Sequence, residues 1–134
     1  MRNDPKSKGE RSEGAVLAAL LKKGYVVLLP FGDNQRYDLV VDSPAGFQRI
    51  QCKTGKITGG AIAFSTCSVE SKGKHERKDY CGQADLFGVF VPDLDKVYLV
   101  PVDEVPGNLA HLRLTPTKNG QKTGIRLADH YELR

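Results

Sequence analysis

The sequence predicts an α/β fold: a mixed central β-sheet flanked by helices, in one domain spanning residues 1–134. Three observations predict it. A single apolar stretch of helical character lies near the N-terminus, several β-branched and aromatic runs of strand length follow it, and Gly/Pro/Asp turn signals separate those runs. At 134 residues the chain is long enough to bury a core without disulfide or metal staples.

The elements follow in order. Asp4 with Pro5, or else Ser12, opens a helix; the run Ala15 to Leu21 continues it, and Gly24 ends it after Lys22 and Lys23. Gly9 and Gly14 weaken the upstream part, so the pattern predicts a helix over about residues 13–23 with its start left open. Tyr25 to Phe31 reads as a strand. Tyr37 to Asp42 and Phe47 to Lys53 read as a hairpin about the turn Ser43-Pro44-Ala45-Gly46. Ala61 to Ser65 is a further short strand, followed by a polar loop. Asp85 to Val91 and Val97 to Val100 are strands joined by the turn Pro92-Asp93-Leu94-Asp95. Leu109 to Leu114 reads as a strand and Leu127 to Leu133 as a short helix.

Charge and cysteine usage narrow the function classes. Twenty Lys and Arg against sixteen Asp and Glu give a net charge of +4, densest over residues 1–11 and 72–78, which points to a polyanionic partner. Cys52, Cys67 and Cys81 contain no Cys-x-x-Cys pair, which argues against a disulfide scaffold or a zinc site and for a reducing, intracellular setting. The charged N-terminus has no apolar leader and no stretch suits a membrane span. The expectation is a cytoplasmic protein, at the nucleoid when bound to DNA, with no membrane partner.

The hairpin carries the candidate chemistry. Closed symmetrically on Ser43 to Gly46, it sets Asp42 opposite Phe47, Val40 opposite Arg49, Asp38 opposite Gln51 and Arg36 opposite Lys53. Opposed Cβ atoms lie about 4.5 to 5.5 Å apart, so Asp38 and Gln51 can share one hard cation at ~2.1–2.5 Å, with Lys53 beside it. Glu13 lies on the helical stripe of Leu17, Leu20 and Leu21, with Glu10 as an alternative. Two readings of Glu13 stand at this point: a carboxylate aimed at the sheet, or an acidic residue of a solvated first turn favoured by the helix dipole.

Helical Glu13, Arg36-Tyr37-Asp38 and Gln51-Cys52-Lys53 resemble the PD-(D/E)XK nuclease superfamily. The closer similarity is to the branch of group I intron homing endonucleases in which Gln replaces the second acid of the motif. Leu29 to Val40, Val97 to Val105, Gly124 to Arg126 and Asp129 to Leu133 look like that branch too, so the resemblance covers nearly the whole chain. Tyr37 stands where the motif has Pro, with little chemical consequence because Pro binds nothing. Gln51 brings a neutral carbonyl, so another carboxylate must supply charge, and the resemblance selects Glu13.

The resemblance implies a restriction-endonuclease-like core and metal-dependent cleavage of double-stranded DNA, site-specific as in homing endonucleases. It implies Mg²⁺, with Mn²⁺ able to substitute, held by Asp38, Gln51, the Cys52 carbonyl and Glu13. Lys53 completes the catalytic set by stabilising transition-state charge. Asn34, Gln35 and Arg36 at the mouth, Lys56 beside Gly55, and Lys72, Lys74, Arg77 and Lys78 are the expected DNA contacts. One centre per small domain implies a homodimer or homotetramer for cutting both strands. His75, His111 and His130 lack ligand spacing. Two alternatives share these features: a Holliday-junction resolvase, and a DNA-binding module with a decayed centre.

Overall fold

The structure, a computed structural model, describes residues 2–32, 35–69, 77–80, 82–116 and 125–134. Its helix α1 runs Pro5–Lys22, longer than the pattern predicts. The reason is the cap: the Asp4 carboxylate accepts the Ser7 N–H at 3.0 Å and the Ser7 hydroxyl at 2.9 Å, with Pro5 pre-set at the first position. Those contacts carry the helix through Gly9 and Gly14.

Among the described residues ten strands follow: β1 (Val26–Leu28), β2 (Leu39–Ser43), β3 (Gly46–Thr54), β4 (Lys56–Thr58), β5 (Ala61–Ser65), β6 (Cys67–Val69), β7 (Arg77–Asp79), β8 (Leu86–Val91), β9 (Lys96–Pro101) and β10 (Leu109–Arg113). Strands β1-β2-β3-β8-β9 form a mixed sheet in that order, parallel only between β3 and β8. Strands β10-β5-β4 form a second sheet, and β6 with β7 a small ribbon. The hairpin register is the predicted one, with Asp42 opposite Phe47 and Val40 opposite Arg49.

Several elements differ from the sequence expectation. β6 and β7 lie in the stretch expected to be a polar loop, and β4 in one given no element, because their pairing partners are supplied by tertiary contact rather than by local pattern. Residues 127–133 form not an α-helix but a 3₁₀ turn at Ala128–His130 between two β-bridges, Arg113 to Leu127 and Tyr98 to Glu132. Among the described residues α1 is the one α-helix, so it covers one face of the main sheet while the second sheet covers the other. It is not long and apolar enough to cross a membrane.

Two cores result. Val16 and Leu20 of α1 pack on Leu39, Val41, Ile50, Leu86 and Val97. On the opposite face Phe87, Val89, Tyr98 and Val100 meet Ile62, Phe64 and Leu112 of the second sheet. Gly88 lets the helix approach: a Cβ there would lie 2.9 Å from methyls of both Val16 and Ile50. The predicted stripe is rotated accordingly, to Ser12, Val16 and Leu20, leaving Leu21 exposed. The bidentate pair Arg49–Asp85, at 3.1 Å on both arms, joins β3 to the start of β8.

Candidate active site

The site forms where β2 ends beside a longer β3. The ladder stops at Leu39 opposite Ile50, whereas β3 continues to Thr54, so Gln51 to Thr54 have lost their β2 neighbour. The Asp38 N–H donates to the Ile50 carbonyl at 2.8 Å, although Ile50 is the partner of Leu39, a one-residue departure from register. A slip of one residue turns a side chain toward the other face of a sheet. The Asp38 carboxylate accordingly accepts the Cys52 N–H at 2.8 Å through Oδ2, and it interacts electrostatically with Glu13 on α1. The register that would set Asp38 directly opposite Gln51 is therefore not made.

Glu13 and Asp38 line one open cleft of about 290 Å³, together with Leu29, Pro30, Gly32, Gln35 and Tyr37. Roughly ten waters fill such a volume, so a hydrated ion and a phosphate group have room there. Loss of solvent raises the Glu13 pKa first, and repulsion from Asp38 and then Glu10 adds to it. Burial raises Asp38 as well, opposed by the Cys52 N–H and by the positive charge of Lys53. The expected placement of Glu13 toward the sheet is therefore what the fold makes, with Glu10 exposed one turn earlier. The helix is held there by a contact the sequence did not suggest: the Ser12 hydroxyl meets that of Thr54 at 2.5 Å. Its signal was the spacing of Ser12, Val16 and Leu20 on one face.

Gln51 and Lys53 stay together on the other face of β3, opposite Phe87 and Val89 of β8. The Gln51 Nε2 donates to the Cys52 carbonyl at 3.5 Å, which sets that side chain beside a main-chain oxygen. The Lys53 ammonium donates to the Cys67 carbonyl and to the Tyr80 hydroxyl, each at 3.3 Å. Tyr80 went unrecognised in the sequence because it is 27 positions from Lys53 and follows a stretch read as loop.

A hard divalent cation fits this donor set. Two carboxylates, an amide oxygen and a main-chain carbonyl are all oxygen donors, and a cation would offset the desolvation that raises the pKa of both acids. Burial, with Asp38 and Glu13 nearby, raises the Cys52 thiol far above its ordinary range, so this residue can offer its carbonyl but not a thiolate. Among the described residues no three His, Cys, Asp or Glu side chains converge, so the low-charge set must rely on Gln51 and the main chain.

The expected DNA contacts divide. Gln35 is exposed at the cleft, its Nε2 donating to the Phe31 carbonyl at 3.1 Å. The Arg36 guanidinium is turned inward, 4.2 Å above the Tyr80 ring. Lys56 is exposed on β4, lining a second cleft of about 510 Å³ with Lys8, Arg11 and the Ser12–Thr54 pair. Arg77 and Lys78 lie in β7, described through the backbone alone, whereas Asn34, Lys72 and Lys74 lie outside the described residues. His111 lies on β10 and His130 in the 3₁₀ turn; His75 and Cys81 are outside the described residues.

Comparison with known proteins agrees with this geometry. The model of the PD-(D/E)XK endonuclease family matches residues 3–134. The solved structure of a bacterial homing endonuclease, I-Ssp6803I, is similar with a TM-score of 0.77 at 25% identity, over 97% of this chain and 89% of that one. No curated protein matched the sequence.

Proposed function

We propose, from the premise that the chain belongs to the PD-(D/E)XK endonuclease family, that it hydrolyses phosphodiester bonds of double-stranded DNA with Mg²⁺, or Mn²⁺ in its place. The observation that carries this reading is the pair Glu13 and Asp38, two desolvated carboxylates lining one cleft with a lysine close enough to lower the Asp38 pKa.

Asp38, Gln51, the Cys52 carbonyl and Glu13 are the residues that would hold the ion. When bound, it supplies a Lewis acid for the scissile phosphate and acidifies an attacking water. The chain's own groups do the rest. The Cys52 N–H holds one oxygen of Asp38 and leaves the other toward the cleft. Lys53 offers its positive charge to the extra negative charge of the pentavalent phosphorus, an electrostatic role rather than that of a general base. Gln35 and Lys56 contact the DNA outside the centre, and Arg36 stands beside it.

Likeness to a homing endonuclease supports site-specific double-strand cleavage, and cutting two strands with one centre per chain calls for a homodimer or homotetramer. Support for assembly comes from β1, an edge strand whose exposed side chains Val26 and Leu28 continue into exposed Leu29 and Phe31. The reducing, intracellular compartment where DNA lies is the setting this activity needs.

The test incubates the pure chain with a randomised duplex library and, in parallel, a four-way junction, in Mg²⁺, Mn²⁺ or chelator. Cleavage of a duplex subset only with metal, lost in Lys53→Ala with DNA binding retained, is the expected result. Undiminished cleavage by Lys53→Ala overturns the mechanism. Selective cutting of the junction replaces the substrate with a branched one. Equal binding with metal or chelator and no cutting at all identifies a binding module instead.

A further inference from the structure

We infer that Tyr80 is a positioning residue that holds both Lys53 and Arg36 at the cleavage centre, an assignment that rests on the role proposed above for Lys53. Two cations share this one ring: the Arg36 guanidinium carbon lies 4.2 Å from the ring centroid and the Lys53 Nζ 4.7 Å. Like charges so placed repel, and they are held when a π face and nearby carboxylates compensate them. Here the ring supplies the first and the carboxylate centre the second, since Lys53 acts on Asp38.

The ring itself is fixed. Tyr80 is 4% exposed, and its plane stands edge-on to Phe87 at 5.6 Å and 89°, while Phe87 is edge-on to Phe64 at 5.7 Å and 67°. A hydroxyl on so immobile a ring is a fixed acceptor. Lys53 uses it at 3.3 Å together with the Cys67 carbonyl, also at 3.3 Å. Cys67 opens β6 and pairs with Asp79, the residue before Tyr80, so the base of one small ribbon supplies both acceptors. An ammonium has three N–H donors. Two are spent on the ribbon, which leaves the third for the centre and restricts a side chain that otherwise samples many rotamers. Arg36 is drawn onto the same platform from the segment leading into Asp38, so the ring joins the two chain segments that carry the site.

The experiment compares Tyr80→Phe, which keeps the ring and loses the hydroxyl, with Tyr80→Leu, which loses both. Leu112→Ala serves as a core control in the same cluster. Single-turnover cleavage should fall about tenfold in Tyr80→Phe, the low end for a hydrogen bond from a charged donor that keeps a second acceptor in the Cys67 carbonyl. In Tyr80→Leu it should fall about 100-fold, the scale of a misplaced catalytic group. DNA affinity measured in chelator should stay within about twofold for both. Leu112→Ala should lose comparable thermal stability and cleave at the parent rate. A Tyr80→Leu protein that cleaves at the parent rate, or a Leu112→Ala protein that slows in step with its stability, overturns the assignment. A second readout is independent of activity: the Lys53 side-chain methylene protons should show an upfield ring-current NMR shift that disappears in Tyr80→Leu. Its absence from the parent protein overturns the positioning even where DNA is cut, and its presence upholds the positioning even where no DNA is cut.

Discussion

The Asp38 carboxylate accepts the backbone N–H of Cys52 at 2.8 Å, across the point where β2 parts from β3. This bond commits one carboxylate oxygen to the scaffold, in a carboxylate that interacts electrostatically with Glu13. It also explains why the site spans both faces of β3: Asp38 has slipped to the helix side, while Gln51 and Lys53 remain on the side of the second sheet.

Glu13 and Asp38 make the metal-free protein sensitive to pH in a definite direction. Both folded-state pKa values are raised, so the stability these groups contribute is complete below their ordinary values near pH 4 and is lost as pH rises through the raised ones. Glu13→Gln removes one charge of the pair. Discounted for the solvent exposure of Glu13, the change is worth a few tenths of a kcal/mol, on the order of a 1–3 °C rise in Tm at pH 7 in chelator. Cleavage should be lost in the same variant, and Mg²⁺ should raise the parent Tm more than the variant's. A variant less stable than the parent in chelator contradicts the pairing.

Gly88→Ala tests how closely the helix must sit. The new methyl would stand 2.9 Å from Val16 and Ile50, both fully buried, so α1 must shift outward at a cost of about 1–3 kcal/mol. Because α1 carries Glu13, cleavage should slow more than tenfold even at temperatures where the variant is fully folded. Urea denaturation with single-turnover rates at low temperature checks both parts; a parent-like rate would separate the helix position from catalysis.

Asp4→Ala removes two hydrogen bonds from the first turn of α1 and should lower the Tm. Fraying should stop before Ser12, which is tied to Thr54, so the cleavage rate should hold. Amide exchange along α1 checks this, with faster exchange confined to residues before Ser12.

Asp85 has the opposite pH behaviour. The Arg49 side chain holds its carboxyl below the ordinary value, so its contribution is present above about pH 4 and lost as pH falls through the depressed folded value. Asp85→Asn should cost, discounted for the solvent exposure of both side chains, about 0.5–1 kcal/mol at pH 7, chiefly through the weakened Arg49 backbone and side-chain bonds. The difference from the parent should shrink toward pH 3 in urea titrations. A difference that stays constant with pH rules out the ion pair as its source.

The hairpin was legible from its turn out to Leu39 and Ile50, because a four-residue turn and a period of two leave one register, and the slip at Asp38 beyond them was not. The long helix was only half legible: Gly9 and Gly14 argue locally against it, and the Asp4 cap with the Ser12 tether outweighs them. β6 and β7 carried no readable signal, since three-residue strands owe their pairing to contacts remote in sequence.

By itself the sequence determined the mixed α/β class and the register that opposes Val40 to Arg49, because these follow from local period and turn chemistry. Only the tertiary structure decided that Asp38 leaves the face of Gln51 for that of Glu13 and that Lys53 and Arg36 meet on Tyr80. A slip at a strand end and a contact between residues 27 apart depend on how distant segments pack, and no local pattern encodes that packing.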